Sequence, residues 1–388
     1  MSAKPRKYLK VRSPGYLICL LSATPTCPLM PKFYLFYLIP FIVLVCTANS
    51  CQTQNGSTWF AIRDRENRSV FRLNDTLHLE ISGSKAGRIA DSAEWMINGE
   101  AIGKGLHLDL PALEMGLGGK KITTRVWQEE KEFETTAEVV ILSDIEPAAL
   151  AYEVINTYPH DTTAYTQGLF YKDGHLYEST GRKGESTLRL TTINGKVLRQ
   201  ATLPDDIFGE GACLLEDKIY QLSWKDKRGF IYNMNLEKTG EFAYPEPFDG
   251  WGLSTDGRYL ILSDGSHLIR FLDPRDSMKV VRTIEVFDDE HPVKLLNELE
   301  YVNGILYANV YTKDYIVGID PASGKVLLEI DLAGLLPDKA HYKGFDKYNY
   351  VLNGIAHDPS SGHFYLAGKK WPLLFEVRFS KAGAMAGR

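Results

Sequence analysis

The sequence predicts an all-β protein in which a five-bladed β-propeller follows a small immunoglobulin-like β-sandwich. Two observations support this fold class. Five related hairpin segments recur along the chain at spacings of 41 to 55 residues, starting near residue 167. Before them, residues 59–145 alternate between apolar and polar in a way typical of half-buried strands.

Each hairpin segment combines a short apolar strand, a tight turn rich in Gly, Asp or Asn, and a second strand. A period of roughly 40–50 residues with about four strands is typical of a propeller blade. Five such segments therefore predict five blades. The residues at the heads of the segments are Gln167, Glu210, Trp251, Glu298 and Asn353.

The strand count suggests how the propeller closes. The second repeat contains four predicted strands, at residues 211–216, 218–223, 229–235 and 240–244. The fifth repeat has only three, and we expect the strand Tyr152–Tyr158, which precedes the first repeat, to supply the missing outer strand. Such an exchange seals the ring and removes its sheet edges. We assign residues 150–380 to the propeller and residues 381–388 to a tail.

The first 50 residues indicate an export signal. They contain no Asp or Glu, carry six basic residues and end in the apolar run Phe33–Cys46. Pro40 interrupts this run, which is shorter than the ~20 residues that a membrane-spanning helix needs. We therefore expect a signal sequence. Its second half, from Met30, suffices alone, so residues 1–29 are a candidate over-long start.

Cys51 is a candidate lipidation site. The segment Thr47-Ala-Asn-Ser-Cys51 resembles the cleavage site of a bacterial lipoprotein signal, although Ala48 stands where leucine is usual. We expect an exported, periplasmic or surface lipoprotein that contacts the membrane through its lipid anchor only. The alternative is an ordinary cleaved signal that releases a soluble protein. The mature chain would keep only Cys51 and Cys213, so we expect no internal disulfide.

Residues 51–58 are the predicted linker, and residues 59–146 are the predicted sandwich. Around 85 residues of alternating strands suit an immunoglobulin-like fold. This segment carries no cluster of acids, histidines or cysteines that indicates chemistry. Two roles remain open for it, namely spacing or docking on one hand and plain stabilisation on the other.

The head positions of the hairpins are the candidate functional residues, because the innermost strand of each blade lines the axial channel. Glu210 is the first candidate, since glycine on both sides of a strand residue marks a close approach of a backbone or a ligand. A carboxylate among aromatic side chains loses hydration, and its pKa rises. The alternative is a solvated polar channel mouth. The aromatic residues near the heads are Tyr165, Phe208, Trp224, Trp251, Tyr311 and Trp371.

Several motifs together carry a family resemblance over residues 152–379. They resemble the plant and bacterial glutaminyl-peptide cyclotransferases, a family with a five-bladed propeller fold, which agrees with the blade count. The motifs include Tyr165-Thr-Gln-Gly-Leu, Phe208-Gly-Glu-Gly, Gly250-Trp-Gly-Leu, Leu296-Asn-Glu-Leu-Glu-Tyr, Leu352-Asn-Gly-Ile-Ala and Gly368-Lys-Lys-Trp-Pro.

The resemblance implies cyclisation of an N-terminal glutamine to pyroglutamate with release of ammonia, on peptide or protein substrates. Tyr165 stands where the family usually has Phe, and Tyr311 where it usually has Trp, so we expect altered affinity rather than lost activity. Glu298 and Asn353 are further axial candidates for substrate binding, and for Glu298 a structural role is an equal alternative. The family's pocket positions are Tyr165, Gln167, Phe208, Glu210, Trp224, Trp251, Asn297, Tyr311 and Lys369.

The reaction suits these residue types. A peptide α-amine with a pKa of about 8 is partly neutral near neutral pH and can attack its own side-chain amide. Glu210 would take the amine proton and hand it to the departing nitrogen. We expect three donors to hold the amide oxygen: Asn297, the Trp224 indole and Lys369. Trp251 and Tyr311 would exclude water, and Gln167 would orient the substrate.

Other classes of chemistry find little support. The histidines are scattered over turns, with no HExxH motif and no ligand spacing, so we expect no metal site and no cofactor, although a structural ion in the channel stays open. A net charge of −5 argues against nucleic acid as a partner. We expect a monomer. The rival to an enzyme is a non-catalytic propeller lipoprotein that binds peptides or a surface partner, for which Glu210, Asn297 and Lys369 together would be unnecessary.

Overall fold

The protein is built almost entirely from β-strands. A computed structural model describes residues 54–55, 59–85, 87–244, 248–337, 339, 342 and 346–381. Within these ranges, no helix has the length and apolar character needed to cross a bilayer. The predicted signal region and Cys51 lie outside the described residues, so export, lipidation and localisation stay predictions, as does the monomeric state.

The described part of the chain before residue 145 forms two sheets and one short helix. Their bounds are β1 (Gln54–Asn55), β2 (Phe60–Asp64), β3 (Val70–Arg72), β4 (Thr76–Gly83), β5 (Ser92–Ile97), β6 (Glu100–Lys104), β7 (His107–Pro111), α1 (Ala112–Met115), β8 (Gly118–Gln128) and β9 (Lys131–Leu142).

These strands bury alternate residues between the two sheets. One sheet has the order β1-β9-β8-β5-β6, with β3 beside β9, and the other has the order β2-β4-β7. Leu77 and Leu79 of β4 share one apolar core with Trp95 of β5 and Ile122 of β8. Since successive side chains of a strand point to opposite faces, the alternation read from the sequence places these residues inside. The immunoglobulin-like assignment and the boundaries of residues 59–146 remain predictions.

Twenty strands follow. They are β10 (Ala148–Pro159), β11 (Thr166–Lys172), β12 (His175–Thr180), β13 (Thr187–Thr192), β14 (Val197–Thr202), β15 (Gly209–Leu215), β16 (Lys218–Ser223), β17 (Arg228–Tyr232), β18 (Lys238–Ala243), β19 (Leu253–Thr255), β20 (Leu260–Ser263), β21 (Leu268–Asp273), β22 (Lys279–Glu285), β23 (Leu296–Val302), β24 (Ile305–Val310), β25 (Tyr315–Ile319), β26 (Val326–Asp331), β27 (Leu352–His357), β28 (Phe364–Gly368) and β29 (Leu373–Lys381).

These strands form antiparallel, propeller-like sheets. Three sheets have four strands each, β11–β14, β15–β18 and β19–β22, and the remaining strands form one sheet of eight in the order β23-β24-β25-β26-β10-β29-β28-β27. The first strand of a set is buried almost throughout, as in β11 and β15, whereas the fourth is largely exposed, as in β14 and β18. A first strand is thus buried on both faces, including its polar residues.

The strand that precedes the first repeat completes the last one, as the sequence predicts. β10 pairs antiparallel with β29 from Leu150–Lys381 to Pro159–Leu373. Its first residues also pair in parallel with β26, which joins two sets of four strands into the sheet of eight. The first set packs against the last, because Leu169 and Leu176 share an apolar cluster with Tyr365 and Leu374.

The N-terminal sheets are attached to the propeller-like sheets by an apolar anchor and ion pairs. Phe287, which follows β22, is 3% exposed and belongs to the core formed between the two N-terminal sheets. Lys120 contacts Glu285 at 2.9 Å, and Asp144 contacts Lys325 at 2.7 Å. Cys213 is buried in β15, as expected for a core residue.

Candidate active site

One cavity of about 220 Å³ opens where the first strands of the propeller-like sheets begin. Typical ligand pockets measure roughly 300–1,000 Å³, so this cavity suits a single residue with its backbone. It is lined by all nine residues that the family resemblance implies, namely Tyr165, Gln167, Phe208, Glu210, Trp224, Trp251, Asn297, Tyr311 and Lys369. Their individual roles stay predictions.

The first strands bring the lining residues together because they approach one another closely. A Cβ atom added at Gly211 would overlap the backbone of Trp251–Leu253, and one added at Gly252 would overlap the carbonyl oxygen of Asn297. The amide of Gly211 donates a hydrogen bond to the carbonyl oxygen of Trp251 at 2.7 Å. Glycine at these two positions therefore lets the preceding residues, Glu210 and Trp251, meet at one site.

Glu210 provides the carboxyl group of the cavity and is 5% exposed. Its Oε1 accepts a hydrogen bond from Nε2 of Gln167 at 3.2 Å. Burial raises the pKa of Glu210 well above its ordinary value of 4.5; the positive charge of Lys369 opposes this rise, and the negative charge of Asp249 adds to it. Because of this rise, Glu210 keeps its proton to a higher pH than an exposed carboxyl group does.

Lys369 provides the amine of the cavity and is 4% exposed. Its Nζ lies 5.0 Å from the ring centroid of Tyr165 and 5.1 Å from that of Tyr311. Burial lowers the pKa of Lys369 to about 8, while the nearby Glu210 acts in the opposite direction. The ammonium is thus held between two aromatic faces and is close to losing its proton at moderately alkaline pH.

Asn297 and Trp224 bring further hydrogen-bonding groups to the cavity. Asn297 is 2% exposed, and its Oδ1 has no hydrogen-bond partner among the described residues. A buried amide oxygen that the described residues leave unpaired can accept a hydrogen bond from a ligand. The Trp224 ring packs against Phe208 with the ring centroids 5.6 Å apart.

Two edge-to-face aromatic pairs form the walls. The ring centroids of Trp251 and Tyr311 are 5.7 Å apart, and those of Tyr165 and Phe208 are 6.1 Å apart. Both tyrosine hydroxyls bond to neighbouring residues of one segment: Tyr165 donates to Oδ1 of Asn349 at 2.7 Å, and Tyr311 donates to the carbonyl oxygen of Tyr348 at 3.0 Å. Burial raises the pKa of Tyr165 to about 12, so this wall stays neutral.

Glu298 and Asn353 lie outside the cavity lining. The Glu298 carboxylate accepts backbone hydrogen bonds from Leu169 at 3.1 Å and from Ile355 at 2.8 Å, in β11 and β27. Nδ2 of Asn353 donates to the carbonyl oxygen of Thr166 at 2.9 Å and to Oε1 of Gln167 at 3.2 Å. Glu298 thus links its own strand, β23, to β11 and β27. Asn353 holds the side chain of Gln167 through a hydrogen bond.

A buried pair that the sequence gave no reason to single out, His160 and Glu178, supports the turn that carries Lys369. Nε2 of His160 lies 2.9 Å from Oε1 of Glu178, and Nδ1 lies 2.8 Å from the carbonyl oxygen of Trp371. The Thr166 hydroxyl donates to the same carboxylate oxygen at 2.7 Å. Because both ring nitrogens face acceptors, the geometry favours a doubly protonated imidazole. The sequence placed His160 only among the histidines scattered over turns.

The described residues contain no group of three or more His, Cys, Asp or Glu side chains arranged to hold a metal ion. A buried carboxyl group and a buried amine with shifted pKa values face one small aromatic cavity, a combination typical of functional sites. The chain is thus an all-β, propeller-like protein with a candidate site for a small ligand.

Comparison with known proteins gives the family. The sequence model of the glutamine cyclotransferase family matches residues 124–379. A glutaminyl-peptide cyclotransferase of Arabidopsis thaliana is 39% identical over 242 residues, which are 61% of this chain and 73% of that protein. The crystal structure of Myxococcus xanthus glutaminyl cyclase is 36% identical, with a TM-score of 0.56, over 61% of this chain and 99% of that chain. The chain therefore belongs to the glutamine cyclotransferase family and is an enzyme of that class.

The buried pair of His160 and Glu178 predicts a pH-dependent stability. Burial alone would lower the pKa of His160, but Glu178 and the Trp371 carbonyl raise it above 6.5. Burial alone would raise the pKa of Glu178, but His160 and Thr166 hold it below 4.5. The ion pair therefore contributes its full stabilisation of the folded state between pH 4.5 and pH 6.5. This contribution is lost as pH rises through the folded pKa of His160 or falls through the folded pKa of Glu178.

We expect His160→Gln to lose about 3–5 kcal/mol of unfolding free energy near pH 5.5, because it leaves a buried carboxylate without its cation. The loss should shrink as the pH rises past the folded pKa of His160. Urea denaturation from about pH 5 to about pH 9 measures this difference. His107→Gln, on the exposed strand β7, is the control. A loss that does not change with pH would contradict the ion pair.

Proposed function

We propose that the chain converts N-terminal glutamine of peptides and proteins to pyroglutamate by general acid–base catalysis that needs no metal ion. The observation that carries the proposal is the buried carboxyl group of Glu210 in the same small cavity as the buried amine of Lys369. The substrate class follows from the family, and the roles of the residues are inferred from their positions and chemistry.

The reaction needs one bond formed, one bond broken and one proton moved. The neutral α-amine attacks the side-chain carbonyl carbon of the same glutamine, which closes a five-membered ring and gives a tetrahedral intermediate. The bond to the amide nitrogen then breaks, and that nitrogen leaves as ammonia with the proton that the α-amine gave up. Because both reacting groups belong to one residue, a cavity that holds this residue folded supplies much of the rate advantage.

Glu210 is the proton carrier in this proposal. As a carboxylate it accepts the proton from the attacking amine, and as a carboxylic acid it donates that proton to the leaving nitrogen. The burial of Glu210 supports this role, because its raised pKa lies closer to the pKa of the amine than the pKa of an exposed carboxyl group does. Gln167 donates to Oε1 of Glu210 and is in turn held by Asn353, which fixes the carboxyl group.

The amide oxygen gains negative charge in the tetrahedral intermediate and needs donors. Lys369 in its ammonium form, the Asn297 amide and the Trp224 indole face the cavity and are the groups proposed to stabilise it. Metal independence rests on this set, because the proton carrier and the oxyanion donors are all side chains of the chain itself. The aromatic pairs Trp251–Tyr311 and Tyr165–Phe208 would keep water from the intermediate.

We also propose that residues 150–380 form a single five-bladed propeller after an immunoglobulin-like sandwich. Three sheets of four strands, and a sheet of eight that divides where β10 meets β26, support five sets. The cluster that joins Leu169 to Leu374 supports closure of the ring. A crystal structure with any other number of blades would overturn this assignment.

The first prediction concerns Glu210. We expect Glu210→Gln to lower kcat/KM for a glutaminyl dipeptide by at least about 100-fold, because the amide cannot carry the proton. Ammonia release, measured with a strong chelator present throughout, tests both the carrier and the metal independence. Glu300→Gln is the matched control, since Glu300 accepts a backbone hydrogen bond from His357 and does not line the cavity. Wild-type activity that is lost to the chelator and restored by a metal would contradict the proposal.

The second prediction concerns the pH profile. Deprotonation of the substrate amine and of Glu210 raises the rate with pH, so a fall at high pH reports an enzyme group that must keep its proton. We expect kcat/KM to fall above about pH 8, the pKa of Lys369. In Lys369→Arg this falling limb should disappear, because arginine stays charged, although the overall rate drops. An identical falling limb in both proteins would rule out Lys369 as the group that titrates.

A further inference from the structure

Two residues with exposed apolar side chains, Leu295 and Tyr348, contact the two ends of Tyr311, which lines the cavity, through their backbone carbonyl oxygens. The Tyr311 amide donates to the carbonyl oxygen of Leu295 at 2.8 Å, and the Tyr311 hydroxyl donates to the carbonyl oxygen of Tyr348 at 3.0 Å. Leu295 is 39% exposed and Tyr348 is 53% exposed. We call these two residues the apolar rim.

The backbone of Leu295 is strained. Its φ angle is +63°, in the left-handed region that a bulky L-residue rarely adopts. The backbone on both sides is fixed, because the Leu295 amide donates to the carbonyl oxygen of Gly265 at 2.9 Å and its carbonyl accepts from Tyr311. Asparagine or glycine would suit this conformation better, so a leucine with an exposed side chain here calls for an explanation outside folding.

Tyr348 is held in place in a similar way. Its amide donates to Oδ1 of Asp346 at 2.8 Å, and Nζ of Lys347 lies 5.0 Å from its ring centroid. Single exposed apolar side chains are normal on a protein surface and need no explanation. Here, however, both residues hold the same cavity-lining tyrosine through their backbone carbonyl oxygens, which places two exposed apolar residues next to the site.

The geometry of the proposed substrate determines which of its residues reach the apolar rim. The cavity has room for one residue, and the reacting amine and amide both belong to the N-terminal glutamine, so the rest of the peptide must leave through the mouth. We propose that the apolar rim binds the side chains of the second and third residues of the substrate, and that the enzyme prefers peptides in which these residues are apolar. This inference rests on the proposed function.

Leu295→Asn is a favourable variant for the test, because it removes the apolar side chain while asparagine tolerates the left-handed backbone. Tyr348→Ser removes the second member and leaves the backbone carbonyl that Tyr311 uses. Leu113→Asn, in α1 and 69% exposed, is the matched control for loss of an exposed leucine. The substrates are Gln-Leu-Leu-amide, Gln-Ser-Ser-amide and glutaminamide, which has no second residue.

We expect wild type and Leu113→Asn to turn over Gln-Leu-Leu-amide with a kcat/KM about tenfold above that of Gln-Ser-Ser-amide, mainly through KM. In the double variant Leu295→Asn with Tyr348→Ser, the values of kcat/KM for the two peptides should differ by no more than about twofold. Three results would overturn the proposed role of the apolar rim. They are an equal kcat/KM on both peptides in wild type, an unchanged ratio in the double variant, and a loss of kcat/KM on glutaminamide as large as that on Gln-Leu-Leu-amide. If wild type releases ammonia from none of the three substrates, the proposed function itself is overturned.

Discussion

Neighbouring first strands approach so closely at the head of the propeller-like sheets that a Cβ atom has no room at Gly211 or Gly252. This constraint determines the site, because the residue before each of these glycines, Glu210 or Trp251, is brought to the cavity. At the fourth set of strands no glycine follows Asn297. There the carboxylate of Glu298 accepts hydrogen bonds from the backbone amides of Leu169 and Ile355. This buried side chain links first strands that are linked elsewhere by close backbone contact.

The carboxyl group and the amine that line the cavity are both buried. A dehydrated carboxyl group and a dehydrated amine each favour the uncharged form, so burial moves the pKa of Glu210 up and the pKa of Lys369 down. Each charge still favours the other, which limits both shifts. The pKa of Glu210 is therefore raised well above 4.5 and that of Lys369 is lowered to about 8, shifts that an exposed glutamate and lysine would not show. The His160–Glu178 pair and Asn353 add no chemistry of their own but hold the turn of Lys369 and the side chain of Gln167.

Hairpin signals and the repeat predicted the strands well, because each set combines a buried first strand with tight turns rich in Gly, Asp or Asn. The pairing of β10 with β29 followed from counting strands and is confirmed by the register. The nine lining residues followed from the family resemblance, whereas the repeat and the nearby aromatic residues alone would have missed Asn297 and Lys369. Aligning Glu298 with the other heads is off by one residue, and since side chains alternate along a strand, Asn297 faces the cavity and Glu298 faces the neighbouring strands. Contacts such as Tyr165–Asn349, which are 184 residues apart, leave no local signal.

The proton transfer proposed for Glu210 depends on its being a buried carboxyl group with a pKa raised well above 4.5. The most direct test is a ¹³C NMR titration of the Glu210 carboxyl carbon in the intact chain, assigned by its loss in Glu210→Gln. The account predicts a midpoint well above 4.5, and a further rise in Lys369→Met because the opposing positive charge is gone. A midpoint at or below 4.5, or one that Lys369→Met leaves unchanged, would contradict it.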